Sequence, residues 1–232
     1  MPDGPGTLYV VATPIGNLED ITLRAIRILS SVDLIAAEDT RKTKILLDRY
    51  NIAKPMLSYF SFNERHRTPQ LIERLLAGNS VALVCDAGTP GISDPAYLIV
   101  TQALANGIPV TPIPGPSAFI AALAVGGLST DRFVFEGFLP QKKGRKTKWE
   151  SLKDEPRTIV LYESPHRVRK TLSEISMHLG NRNVVIAREL TKKFEEILRG
   201  PAETVLSQME QKEPRGEFVI LIEGKQRIDR ED

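Results

Sequence analysis

One cysteine, Cys85, stands among 232 residues. That count excludes a disulfide framework within the chain and a cysteine zinc site. Histidine is nearly as scarce. His66, His166 and His178 are scattered, which speaks against a histidine metal centre or a Ser-His-Asp constellation, and no metal is expected. The patterns G-x-x-x-x-G-K-[ST], G-x-G-x-x-G and H-E-x-x-H do not occur, so the letters GTP inside DAGTPG are a coincidence of spelling. GPSAF (115–119) begins like a nucleophile elbow but lacks its closing glycine. A bulk excess of charge is missing too: 31 Lys and Arg against 29 Asp and Glu leave a formal charge of +2. Any affinity for a polyanion must then come from local patches. No run approaches the ~20 apolar residues of a membrane span. The opening MPDGPGTLYVVATPIGN lacks the basic stretch of a secretory signal and reads as a first strand. A cytoplasmic protein with no membrane partner is expected.

What is present is alternation. TLYVVA (7–12), VDLIAA (32–37), MLSYFS (56–61), VALVC (81–85) and PVTPI (109–113) read as strands rich in apolar and β-branched residues. Between them lie segments of helical pattern. Asp20 is a candidate cap for a helix carrying Leu23, Ile26 and Leu29, TRKTKILLDRY is amphipathic, and TPQLIERLLAG stops at Gly78. Asp94-Pro95 is the pattern of an N-cap followed by proline at the first helical position. Strand and helix alternating over 7–115 predict a parallel or mostly parallel sheet covered by helices.

The Pro/Gly hinge PIPGP (112–116) separates two α/β domains, 1–115 and 116–232. Past it come an apolar helix, SAFIAALAVGGL, and four strands, RFVFEGFL, RTIVLYES, NVVIAREL and EFVILIEG, with one long helix over 165–179. No repeat of solenoid period is present. The terminal KQRIDRED is charged and is expected to fray.

Three loops carry the functional signal. ATPIGN (12–17), DAGTPGISD (86–94) and PGPSA (114–118) each follow a predicted strand of the first half. In a parallel sheet all three lie at the carboxyl edge, where open α/β sheets bind ligands. Glycine permits close backbone approach, proline fixes loop shape, and a carboxylate such as Asp86 accepts from hydroxyl or amino groups. Any one of these loops is equally a plain tight turn. Asp86 serves as well as a loop cap, Asp94 as a helix cap, Ser117 as an N-cap, and Cys85 as a small buried hydrophobe.

A second signal is basic. QKKGRKTK (141–148) holds Lys142, Lys143, Arg145, Lys146 and Lys148 between two predicted strands, SPHRVRK (164–170) adds Arg167, and NERHRTP (63–69) adds a third cluster. Such concentration in a nearly neutral chain points to a polyanion, though a solvated loop has the same composition. Phe138 and Trp149 flank the first cluster and are either base-stacking or core residues.

GTLYVVATPIGNLEDITLRAIRIL, AEDTR, CDAGTPGISDP, PIPGPSA, LYESPHR, ARELTKKFEE and GEFVILIEG together resemble the tetrapyrrole methylase superfamily, in its branch that methylates ribosomal RNA. The resemblance covers almost the whole chain. It implies two α/β domains with S-adenosylmethionine in the cleft between them, a homodimer, and ribosomal RNA or the small ribosomal subunit as partner. It implies methylation of a cytidine ribose 2′-hydroxyl. Ala12 and Pro14 stand where the superfamily's first loop usually has glycines, a departure that fits the RNA branch and speaks against a porphyrin substrate. Carried over by motif, the donor contacts are Ile15, Asp86, Gly88, Thr89, Ser117 and Ala118, with Tyr162 and Leu190 from the second domain.

Methyl transfer from a sulfonium is an in-line displacement, so the protein must align acceptor oxygen, carbon and sulfur. A ribose hydroxyl is a weak nucleophile and profits from a base. Glu38 and Asp39 after the second strand, and Glu163 after TIVLY, are the candidates. Two rival readings remain at this point: a methyltransferase acting on a tetrapyrrole-like acceptor, and a non-catalytic RNA-binding module.

Overall fold

In a computed structural model of the chain, residues 4–210 and 213–226 are described. The chain divides into two compact units, Met1–Ser117 and Ala118–Asp232, where the sequence pattern put the break after residue 115. Residues 227–232 of the charged tail lie outside the described residues.

The first unit is a five-stranded sheet. In chain order it holds β1 (Leu8–Val11), α1 (Leu23–Ser31), β2 (Leu34–Ala37), α2 (Thr40–Arg49), β3 (Met56–Ser58), α3 (Glu64–Leu76), β4 (Val81–Val84), α4 (Tyr97–Ala105) and β5 (Val110–Ile113). The strand order is β3-β2-β4-β1-β5 and every pairing is parallel, as the alternation predicts. Period-two alternation divides each central strand between two faces. Ile35, Ala37, Ala82 and Val84 join the core under α1 and α2. Leu34, Ala36, Val81 and Leu83 join the core under α3 and α4. Both faces are covered, which is why VALV and LIAA are continuous apolar runs. Pro112 is tolerated because β5 is an edge strand.

This order makes β1 and β4 neighbours whose following connections run opposite ways, α1 towards β2 and α4 towards β5. That is a topological switch point, and the loops after β1 and β4 diverge there.

Two caps differ from the sequence reading. Thr22, not Asp20, caps α1, its hydroxyl accepting from the Ala25 amide at 3.1 Å. The buried face of α1 is Ala25, Ile28 and Leu29, and Leu23 is exposed. Asp94 does not cap α4, because the helix begins three residues later, with Ala96 at the cap position and no side-chain cap bond.

The second unit holds α5 (Ala118–Gly126), β6 (Phe133–Phe138), α6 (Arg145–Leu152), β7 (Thr158–Glu163), α7 (Val168–Leu179), β8 (Asn183–Arg188), β9 (Glu196–Pro201), α8 (Ala202–Glu210) and β10 (Phe218–Ile222). Its sheet runs β6-β7-β10-β8-β9, with β6 parallel to β7 and the other pairs antiparallel. Helices α6, α7 and α8 cover one face, around Trp149, Ile159, Leu161, Ile175, Ile186 and Ile220. Helix α5 covers the other so closely that a Cβ on Gly126 would stand 2.5 Å from Leu221 Cδ1. The sequence reading had four strands here. The fifth, β9, is a half-exposed edge strand with little apolar content, and it pairs residue for residue with β8 from Asn183↔Pro201 to Arg188↔Glu196. Among the described residues no helix is long and apolar enough to cross a membrane.

Candidate functional site

The three Gly/Pro loops of the first unit meet at the carboxyl edge of its sheet. A two-way backbone bridge fastens the first to the second: the Thr13 amide donates to Gly88 O at 2.8 Å and the Gly88 amide donates to Thr13 O at 3.0 Å. Thr13 Oγ1 also donates to Cys85 O at 3.2 Å. Thr89 Oγ1 donates to Pro116 O at 3.2 Å and ties the second loop to the third. A Cβ on Gly115 would lie 3.0 Å from the Ala12 Cβ, so the third loop packs directly on the first. The 86–94 loop is held in an unusual path, with Gly88, Gly91 and the non-glycine Ser93 all at positive φ. A non-glycine residue in that region is sparsely populated and marks an over-determined segment. Ile15 is buried, while Asp86, Thr89 and Ser117 are partly open.

Carboxylates line this edge. Asp86 Oδ1 accepts from the Asp39 amide at 3.0 Å, and its Oδ2 accepts from Lys42 Nζ at 2.6 Å. Glu38 Oε2 accepts from the Asp86 amide at 3.1 Å. Asp39 caps α2 through the Arg41 amide at 2.9 Å and pairs with the Arg41 guanidinium at 2.7 Å. Those bonds hold its carboxyl well below the usual carboxylate range, which makes it a poor base.

Asp94, read from sequence as a helix cap, instead lies partly buried beside Cys85. Burial pushes its carboxyl up to about 6, a bond with the Cys85 thiol works against the rise, and the charges of Glu38 and Asp86 add to it. Burial likewise pushes the Cys85 thiol up, with Asp94 adding to the shift, so Cys85 is an inert buried thiol.

The second unit corrects the basic segment. Arg145 is not a surface cation: it is buried, with Nε 2.7 Å from Glu174 Oε2, NH2 2.7 Å from Thr171 Oγ1 and NH1 3.1 Å from Pro140 O. It is the first residue of α6, facing the core, and its charge is neutralised by Glu174 and by Glu163 at 3.9 Å. Glu163 belongs to the same network and is corrected as a candidate base. It is buried, with Oε1 accepting from the Ser164 amide at 2.7 Å and ion-paired with Arg167 Nε at 2.8 Å, and Oε2 accepting from Thr171 Oγ1 at 2.8 Å. It is held by two hydrogen bonds and two cations inside the second unit, and Arg167 is spent mainly on it rather than on solvent. Trp149 is fully buried, its Nε1 donating to Glu174 at 3.1 Å, and is core rather than a stacking surface. Lys142, Lys143 and Lys146 remain exposed, and Lys148 pairs with Glu136 at 2.5 Å. Ala118 opens α5, Tyr162 lies on β7, and buried Leu190 follows β8 between Glu189 and Thr191, both at positive φ.

Residues 7–206 match the profile of the family described as Tetrapyrrole (Corrin/Porphyrin) Methylases. The chain is 50% identical over 223 residues to "Ribosomal RNA small subunit methyltransferase I" of Halalkalibacterium halodurans, covering 96% of this chain and 77% of that protein. It is 48% identical over 221 residues to the protein of the same name from Thermotoga maritima, covering 95% and 100%. Among solved structures, a cobalt precorrin-4 methyltransferase superposes with a TM-score of 0.72 at 18% identity, covering 94% of each chain. A uroporphyrin-III C-methyltransferase from Thermus thermophilus, complexed with S-adenosyl homocysteine, does so at 0.66 and 19%, covering 95% of this chain and 98% of that one.

Proposed function

Because this chain belongs to the tetrapyrrole (corrin/porphyrin) methylases, we propose that it methylates small-subunit ribosomal RNA, on the ribose 2′-oxygen of a cytidine, with S-adenosylmethionine as donor. It is an S-adenosylmethionine-dependent methyltransferase. The relatives' names support the RNA, and the chain's motifs, resembling the 2′-O-methylating branch, support the atom. Action in the cytoplasm and as a homodimer are part of the same proposal.

The observation that carries the reading is the locked edge formed by the loops after β1, β4 and β5, with unneutralised carboxylates on it. Glu38 and Asp94 make no ion pair among the described residues and their charges reinforce one another, while Asp86 beside them is paired with Lys42. An edge of that sign favours a cationic ligand. The residues present therefore fit S-adenosylmethionine, which when bound supplies a methyl group already activated as a sulfonium. Ile15 and the backbone at Gly88 shape the apolar wall of the edge, and Thr89, Ser117 and Asp86 offer its polar contacts. Asp94, poised near 6, is ionised at neutral pH and is matched to accept a proton from a weakly acidic group. Glu38 is the second carboxylate available to do so.

Calorimetry with S-adenosylmethionine, followed by transfer of a labelled methyl group to small-subunit RNA, tests this directly. Donor binding with transfer to RNA is expected. Transfer to a tetrapyrrole but not RNA, or RNA binding without donor binding, overturns it.

A further inference from the structure

Strand β6 carries an irregularity with a consequence for its last residue. Phe135 pairs with Val160 and Phe138 with Tyr162, so three residues of β6 span two of β7, and the extra one sits at the Phe135/Gly137 register shift. Gly137 takes φ 59° there. Without the bulge, strict alternation would send Phe138 to the face opposite Phe135. The bulge re-aims it to the face that Phe135 shares with Tyr162. The result is a row of rings. Phe119 stacks on Phe135 at 4.7 Å, Phe135 meets Tyr162 edge-on at 5.1 Å, and Phe138 lies tilted against Tyr162 at 5.6 Å. The row runs from half-buried to open: Phe138, at its end, is 54% exposed.

The contact with Tyr162 leaves about half of Phe138 open to water, area that does nothing for the fold. Here the residue is held by a bulge, on an edge strand, four and five residues before exposed Lys142 and Lys143. The buried Arg145 ties the intervening segment down through Pro140 O. An open π-face followed closely along the chain by exposed cations is the combination that holds single-stranded nucleic acid, the ring taking a base and the cations the adjoining phosphates. We propose that Phe138, backed by Tyr162, is a stacking platform for one unpaired nucleotide of the RNA substrate, with Lys142 and Lys143 on the flanking phosphates. This rests on the reading of an RNA acceptor. It gives the RNA a non-electrostatic contact that the cation clusters alone do not provide.

The test uses the full chain and a labelled single-stranded RNA oligonucleotide, titrated at several salt concentrations with wild type, Phe138→Ala and Phe138→Leu. Loss of one base stack is expected to weaken RNA binding roughly 5- to 100-fold. Leucine should fail to rescue, because it restores apolar area without a π-face. The slope of log affinity against log salt should stay at its wild-type value, since stacking releases no counterions. Donor affinity should also hold. In Phe138→Trp, the new exposed indole should be quenched by the oligonucleotide, whereas Trp149 is buried. Wild-type RNA affinity in Phe138→Ala overturns the platform and leaves the methyltransferase reading intact. A parallel loss of donor affinity overturns it by assigning the ring to the donor's adenine. A change of oligomeric state in Phe138→Ala overturns it by assigning the ring to contact between copies. If the wild type neither binds nor methylates RNA, the functional reading falls and the platform with it.

Discussion

Lys42 Nζ lies 2.6 Å from Asp86 Oδ2, while Asp86 Oδ1 accepts from the Asp39 amide at 3.0 Å. One carboxylate thus ties the loop after β4 to the start of α2, its position set by the protein's own groups. The Lys42 side chain is 63% exposed, so the pair itself adds little stability, about 1 kcal/mol or less. Asp86→Ala should therefore fold. It should lose donor affinity by the value of a hydrogen bond to a charged acceptor, roughly 1.5–3 kcal/mol. Calorimetry beside an unfolding curve measures both. Unchanged donor affinity in the folded variant removes Asp86 from the site.

Asp94 makes the edge sensitive to pH in two ways. Its carboxyl is raised from 3.8 to about 6. Between those values the folded protein binds more protons than the unfolded chain, so stability falls as pH rises through the window. Below about 4 both states are protonated and the residue costs nothing; above about 6 the full cost is present. Asp94→Asn should then match wild type near the acid end in denaturant unfolding and become the more stable protein above about 6. Donor binding should respond in the opposite sense, since the ionised carboxylate attracts a cation. Affinity is expected to rise through that range in wild type and to stay flat in Asp94→Asn. Parallel pH profiles of affinity would take Asp94 out of the donor's surroundings.

The basic segment divides into surface and interior, and substitution should show the division. Lys142→Ala, Lys143→Ala and Lys146→Ala are each expected to flatten the salt dependence of RNA binding by roughly 0.7–0.9 log units per lost phosphate contact. Their unfolding midpoints should hardly move. Arg145→Ala instead takes the close cation from Glu174, leaves Glu163 to Arg167 alone, and should cost about 3 kcal/mol of stability. An Arg145→Ala protein as stable as wild type, with a reduced salt slope, would return this residue to the surface.

Physical chemistry decides which parts of this molecule are readable from its sequence. The parallel sheet is legible because VALV and LIAA are buried on both faces and are continuous in apolar character. Strand β9 is not, because an edge strand half open to water needs no such run. The three loops are legible because glycine and proline mark special backbone paths. Thr22 caps α1 in place of Asp20, and Asp94 caps nothing, because capping depends on where the helix begins, which varies by a turn without changing composition. Arg145 misleads for a different reason. Its burial depends on Glu163, Thr171 and Glu174, residues 18 to 29 positions away that no local pattern connects to it.

The position of the methyl group is the finest element of the proposal and admits a chemical test. Cys85 is buried with its thiol held protonated, so it is unsuited to the nucleophilic addition some base methylations use. A ribose acceptor needs only alignment and a base, a part the proposal gives to Asp94 or Glu38. The 2′-hydroxyl is also the group that distinguishes RNA from DNA. A DNA oligonucleotide of matching sequence should therefore accept no methyl group even where it binds. Alkaline cleavage of RNA requires a free 2′-hydroxyl to attack the adjacent phosphodiester. After reaction with the enzyme, the hydrolysis ladder should show a gap at one cytidine, and mass spectrometry of nucleosides should recover the methyl on ribose. A continuous ladder with the methyl on the base would move the acceptor atom while leaving the donor and the RNA in place.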